Sequence, residues 1–399
     1  MLRSLFVLVA CTAPLFAQSA DIGAGLDLKL RFEKFVADKE TAGAVLAVGN
    51  AEGQICRIPV GKADIAGKKP MEHDGLFRIA SMTKPITAIA IMMLQDEGKL
   101  SVDDPVEKHL PDFKGQMVIA STDKDAGTVT LKKPKRPIQL RDLLTHTSGL
   151  NDYPAGMADI YAKRNRTLNE TTIAVSQRPL FFEPGTKWSY CNSGIDTLGR
   201  IVEVVSGESF EKFLQTRLFD KLKMEDTTFD PDEKQSARLA KLYGKDNGEL
   251  KEAPNGLIGL PRAPKHPIPA GGLVSNAADL GTLYRMMLNK GELGGTRILS
   301  EKAVAEMTKT QTDDIKTGFV DGMSFGYGWA VVKEPKGVTA MLSKGTYGHG
   351  GAFGTQGWID PEKGLYFIML IQRTGLANGD ASEMRKEFQR LAVEAYGKK

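Results

Sequence analysis

Strand-like runs lie at both ends of this 399-residue chain and are scarce in its middle, and that distribution narrows what it can fold into. Near the start, residues 43–48 and 55–60 flank Asn50-Ala51-Glu52-Gly53, which reads as a hairpin turn. Near the end, residues 327–332 form one run, and residues 357–360 and 365–372 flank the turn Pro361-Glu362-Lys363-Gly364. The two ends are therefore expected to share one antiparallel sheet. Helices are expected beside them, over residues 26–39 and 381–395.

The middle is helical and loop-rich. Residues 86–95 form an apolar helix that stops near Gly98. Residues 138–144 predict a short helix before the turn His146-Thr147-Ser148-Gly149. Apolar Ile195, Leu198, Ile201, Val202 and Val205 have helical spacing over residues 194–205, and residues 279–288 predict another helix. Residues 114–136 are charged and weakly periodic, a surface insertion with room for a hairpin.

The N-terminus reads as an export signal over residues 1–20. Arg3 precedes an apolar run over residues 5–17, small residues Ala17, Ser19 and Ala20 follow, and residues 21–25 read as a flexible junction. The run is too short to span a bilayer, and no later stretch is long and apolar enough. Leu8-Val9-Ala10-Cys11 resembles a lipoprotein cleavage site with a short leader. Export to the periplasm or outside the cell is the expectation. After cleavage only Cys56 and Cys191 remain, too few for a disulfide framework. With 53 basic and 49 acidic residues, the charge balance points to no nucleic-acid partner, and Lys132, Lys133, Lys135 and Arg136 read as a solvated loop. The five histidines are scattered without ligand spacing, so no metal and no cofactor are expected.

Three stretches carry possible chemistry. In Ser81-Met82-Thr83-Lys84 a helix would put hydroxyl and amine on one face. A serine needs a neighbour to take its proton, and a lysine can do so when burial keeps it from being fully protonated. The pattern recurs at Ser121-x-x-Lys124 and Ser209-x-x-Lys212, but only Ser81 opens a nearly wholly apolar helix. Ser209 reads as a helix cap and Ser121 lies in the charged insertion. Tyr190-Cys191-Asn192 precedes a helix; its phenol could relay a proton if nearby cations lowered its pKa, and Asn192 could orient a substrate or the lysine. In His349-Gly350-Gly351-Ala352 the glycines would let a substrate lie against an edge strand, and His349 could bind a substrate carboxylate or modulate proton transfer. A rival nucleophile is Ser324 in Gly322-x-Ser-x-Gly326, but a strand-like run follows where an elbow needs a helix.

Taken in order, these motifs resemble the serine β-lactamase and penicillin-binding protein superfamily, in the branch of class C β-lactamases, D-peptidases and related esterases. The resemblance rests also on the residues 143–150 segment Leu-Leu-Thr-His-Thr-Ser-Gly-Leu and on Gly271-Gly272-Leu273-Val274-Ser275. It implies an α+β fold: an antiparallel sheet domain from residues 21–82 and 271–399, a helical domain from residues 83–270, and a site in the cleft between them. It implies acylation of Ser81, with Lys84 and Tyr190 sharing the proton work, Asn192 at the family's Asn position, and the Ser81 and Ala352 N–H groups as oxyanion hole. His349-Gly350-Gly351 stands where class C enzymes carry Lys-Thr-Gly. A histidine, partly charged at neutral pH, would hold a β-lactam carboxylate less firmly than lysine.

The expected protein is thus an exported serine hydrolase, monomeric, acting on carboxylic esters or related small acyl compounds. A D-alanyl-D-alanine peptidase or weak β-lactamase working on cell-wall peptides is the alternative among enzymes. A penicillin- or peptidoglycan-binding module without turnover is the alternative outside them.

Overall fold

The computed structural model describes residues 15–253, 257–261 and 263–397; the rest of the export-signal and lipidation stretch, residues 1–14, lies outside these. Its centre is an eight-stranded antiparallel sheet. The strands are β1 (Gly43–Asn50), β2 (Gln54–Asp64), β3 (Lys69–Pro70), β4 (Met323–Phe325), β5 (Ala330–Val332), β6 (Tyr347–Gly350), β7 (Gln356–Asp360) and β8 (Leu365–Ile371). Their order is β4-β5-β6-β7-β8-β1-β2-β3, so β8 from the C-terminal end pairs directly with β1, Ala44 opposite Ile371 and Asn50 opposite Leu365. The two chain ends do share one sheet.

Strand β1 is apolar almost throughout because both its faces are covered. Ala44, Leu46 and Val48 point to one core, with Phe32 of helix α1 (Leu15–Ala37) and Phe388 of the last helix, Glu383–Tyr396. Val45 and Ala47 point to the other core, with the helices of the middle region. Helix α1 begins at Leu15 and runs through residues 21–25, where a junction was expected. Its turns from Leu28 to Phe35 are anchored on the sheet, and the earlier turns extend the same hydrogen-bonded ladder.

Three further helices matter for the site: α2 (Thr83–Asp96), α3 (Asn192–Ser206) and α4 (Ala277–Leu288). Every residue of α2 from Thr83 to Leu94 is buried, including Lys84. That is the outcome its unbroken apolar run predicts. The charged insertion does hold a hairpin, Val118–Asp123 against Thr128–Lys132. Arg136, expected in solvent, is instead half-buried and forks onto buried Asp142 at 2.6 and 2.8 Å. Among the described residues no disulfide forms and no helix is long and apolar enough to cross a membrane.

A short pairing of Phe77–Arg78 with Val274–Ser275 ties the entrance of α2 to the chain 200 residues later. It continues as Ile79 N–H to the Leu273 carbonyl at 3.0 Å. The preceding strap, residues 264–272, therefore lies across the start of α2.

Candidate active site

Ser81 sits in a single 3₁₀ turn, Ala80–Met82, that leads into α2. Ala80 before it has φ 46°, a left-handed conformation that costs a non-glycine residue roughly 1–2 kcal/mol. His146 (φ 61°) and Ile268 (φ 60°) share that conformation, and both belong to segments that close around Lys84. Strain of this kind persists only where surrounding packing imposes it.

Lys84 is 0% exposed. Its Nζ donates to Ser81 Oγ at 2.9 Å and to the Ala270 carbonyl at 2.7 Å. Burial pulls its pKa down to about 7, while the Asp196 charge, then Asp152 and Cys191, oppose the fall. The amine is thus poised between its two forms near neutral pH.

Tyr190 comes from a distant stretch, and the turn at His146 brings it in. The His146 carbonyl accepts from Ser189 N–H at 2.9 Å, and His146 Nδ1 accepts from Cys191 N–H at 3.2 Å. The backbone on both sides of Tyr190 is thereby fixed, and its ring lies 4.5 Å from the imidazole. Because Nδ1 accepts, His146 carries its proton on Nε2. Burial, helped by Lys84 and His349, keeps it neutral, well below its ordinary pKa.

Lys84 Nζ lies 4.7 Å from the Tyr190 ring centroid, and the Ser81 hydroxyl lies near enough to the phenol to oppose the rise of its pKa. Hydroxyl, amine and phenol therefore meet, as the motifs predicted. The lowering of the phenol's pKa, on which the relay role was conditional, does not occur. Burial drives it well up and outweighs the nearby Ser81 hydroxyl, so Tyr190 stays protonated.

His349 departs from expectation more sharply. Its Nδ1 is 2.6 Å from the Gly350 carbonyl, which can only accept, so the lone pair lies on Nε2. Burial, then the Lys84 charge, lower its pKa to about 4. In this state the imidazole carries no charge to attract a carboxylate. The glycines after it answer to the protein's own chain. A Cβ on Gly350 would stand 2.0 Å from Asp380 Oδ1, and one on Gly351 would stand 2.5 Å from the Ile79 carbonyl oxygen. The close approach that glycine permits here is to the Ser81 turn itself. Among the described residues neither the Ser81 nor the Ala352 N–H is hydrogen-bonded, and Ala352 is exposed.

Asn192 opens α3 and is half-buried; among the described residues its amide makes no hydrogen bond to Lys84. Ser324 lies in β4, buried, 2.9 Å from Thr312 Oγ1, so it is no exposed elbow. Ser209 caps the helix Phe210–Leu214, and Ser121 is an exposed residue of the hairpin. Trp188, Phe319 and Phe325 make an apolar wall beside Tyr190; Phe319 lies 5.0 Å from the Tyr190 ring and is 47% exposed.

Asp196 and the Ala270 carbonyl went unnoticed in the sequence. Asp196 follows Asn192 by one helical turn, an acid among the apolar positions of α3, and that was the available signal. The Ala270 carbonyl left none, because a backbone acceptor has no sequence signature.

A family model described as β-lactamase matches residues 28–391. The chain belongs to the β-lactamase family. Members of this β-lactamase-fold family are serine hydrolases. The chain is similar to esterase EstB of Burkholderia gladioli, 28% identical over 379 residues, covering 88% of this chain and 91% of EstB. It is similar to penicillin-binding protein 4 of Amycolatopsis lactamdurans, 30% identical over 328 residues, covering 82% and 78%. Among solved structures, EstCE1, a hydrolase with promiscuous acyltransferase activity, has a TM-score of 0.75 at 24% identity, covering 96% of this chain and 100% of that one. That last likeness speaks to the fold alone.

Proposed function

We propose that this protein is an exported carboxylic-ester hydrolase that works through an acyl-enzyme on Ser81. The observation that carries the reading is a solvent-free amine, poised near neutrality, 2.9 Å from the Ser81 hydroxyl. As free base, Lys84 takes the hydroxyl proton while Oγ attacks the ester carbonyl. The developing oxyanion is held by the unpartnered N–H groups of Ser81 and Ala352. The C–O bond to the alcohol then breaks, Tyr190 gives its proton to the leaving oxygen, and the Lys84 ammonium restores it. Water adds to the acyl carbonyl by the same route in reverse, releasing the acid and Ser81.

Neutral esters suit the site better than carboxylate-bearing peptides or β-lactams. His349 supplies no positive charge, and exposed Phe319, backed by Trp188 and buried Phe325, offers apolar surface. The relationship to a penicillin-binding protein keeps a D-peptidase as the second reading. Turnover of a short-chain chromogenic ester, a D-Ala-D-Ala peptide and a cephalosporin, each beside Ser81→Ala, tests both. The ester should be turned over fastest, and Ser81→Ala should lose at least ~10³-fold. Native ester turnover by Ser81→Ala would end the proposal. A persistent acyl adduct by mass spectrometry, without turnover, would make the protein a binding module. Export is tested by the N-terminus of the mature protein, expected near residue 21.

A further inference from the structure

We propose that Asp196 is a positioning residue for Lys84, fixing the strap whose Ala270 carbonyl holds the amine and facing that amine with a buried negative charge. The proposal rests on the reading of Lys84 as the base.

The geometry is a relay through one residue. Asp196 is 0% exposed, one turn into α3. Its Oδ1 accepts the Ala270 N–H at 2.8 Å, and the Ala270 carbonyl accepts Lys84 Nζ at 2.7 Å. Its Oδ2 accepts the hydroxyls of Tyr153 at 2.7 Å and Tyr161 at 2.6 Å. The carboxylate thus has three donors and no freedom to turn. The strap is clamped elsewhere too: the Pro269 carbonyl accepts from Thr87 Oγ1 at 2.7 Å, and a Cβ on Gly199 of α3 would stand 2.3 Å from the Pro269 ring. The segment over residues 151–166 uses two of its tyrosines to hold this acid.

The charges around the amine leave Asp196 a distinct part. From α2 and the segment before it, Lys84 faces the Ser81 hydroxyl. From the stretch leading into α3 it faces the Tyr190 phenol and the Cys191 thiol, both kept protonated by burial. From the turn at His146 and from β6 it faces two neutral imidazoles, His146 and His349. Among the described residues the remaining charged groups acting on it are Asp196 and Asp152. Asp152 is exposed and screened by water, whereas Asp196 is enclosed. Desolvation alone would strip the proton from Lys84 and leave a weaker base; the Asp196 charge opposes that.

Asp196→Asn keeps the shape and removes the charge. The acid limb of kcat/KM for a neutral ester should then move to lower pH by about one unit. Titration of the Lys84 side chain by NMR, in a Ser81→Ala background, should show the same displacement. An unmoved limb in a variant with native circular dichroism overturns the proposal. If Asp196→Asn does not fold, Tyr153→Phe with Tyr161→Phe strips two donors and leaves the charge. Its limb should stay or rise, and a fall overturns the proposal. Lys84→Met separates the two claims. If it retains native turnover, the base assignment falls and Asp196 with it; if it is dead while the Asp196→Asn limb stays put, only the present proposal is lost.

Discussion

Lys84 Nζ lies 2.9 Å from Ser81 Oγ, the lysine wholly buried and the serine half-buried at the mouth of the helix. A buried amine is costly. Its pKa is about 7 in the folded chain against an ordinary 10.5, so between those values the unfolded chain binds a proton that the folded one does not. Stability on this account falls as pH drops from 10.5 towards 7. Lys84→Met should abolish ester turnover and raise stability at pH 7 by roughly 1–3 kcal/mol, the relieved desolvation less two lost hydrogen bonds. It should also remove that slope from a plot of denaturation free energy against pH. A destabilised Lys84→Met protein would mean that the amine is held for structure.

The rate profile follows from the same pair. With a neutral ester, kcat/KM should fall on the acid side near pH 7, as Lys84 takes up a proton. Tyr190 should add no alkaline limb below pH 10, because burial pushes its phenol up. Tyr190→Phe should cost ~10²–10⁴-fold in kcat, since it removes the proton donor. Its thermal midpoint should stay near native, because the ring keeps its contacts with His146 and Phe319. A limb near pH 9 that vanishes in Tyr190→Phe would contradict the protonated phenol.

Gly351 is a test of the glycines. An added methyl would meet Thr355 Oγ1 at 2.1 Å and the Ile79 carbonyl oxygen at 2.5 Å. Thr355 already donates to that carbonyl at 3.2 Å, so neither can yield freely. Gly351→Ala should therefore displace the Ser81 turn, costing ~1–3 kcal/mol of stability and at least ~10-fold in kcat. Native kcat in that variant would show that the turn can shift without harm.

His349 is expected to act on stability against pH. Its pKa is about 4 when folded against an ordinary 6.5, so the unfolded chain gains a proton first as pH falls from 6.5 to 4. Stability should drop through that window, and His349→Gln should flatten the drop. The ratio of cephalosporin to ester turnover should not rise between pH 7.5 and 5.5, since no imidazolium forms to attract the carboxylate. A clear rise would restore the carboxylate-binding role.

Much of the site could be read from neighbours in sequence. Helical spacing placed Ser81 and Lys84 on one face, and the apolar run beyond them predicted burial of the lysine, as observed. Strand-like runs at both ends predicted the shared sheet, because alternation and turn residues are local signals. What local pattern could not carry was charge state. The relay role of Tyr190 was conditional on cations lowering its pKa, and His349 was read from its type as partly charged; burial keeps the phenol protonated and the imidazole neutral.

Residue pattern alone marked most of the helices and strands, and marked one serine at the head of a helix able to bury its lysine. That residues 84, 146, 190, 196 and 270 meet is a property of the folded chain. Those contacts depend on the chain closing across long separations, and a backbone carbonyl such as Ala270 leaves no trace in residue type. The same closure removes water, and the removal of water sets which of the site's groups hold protons.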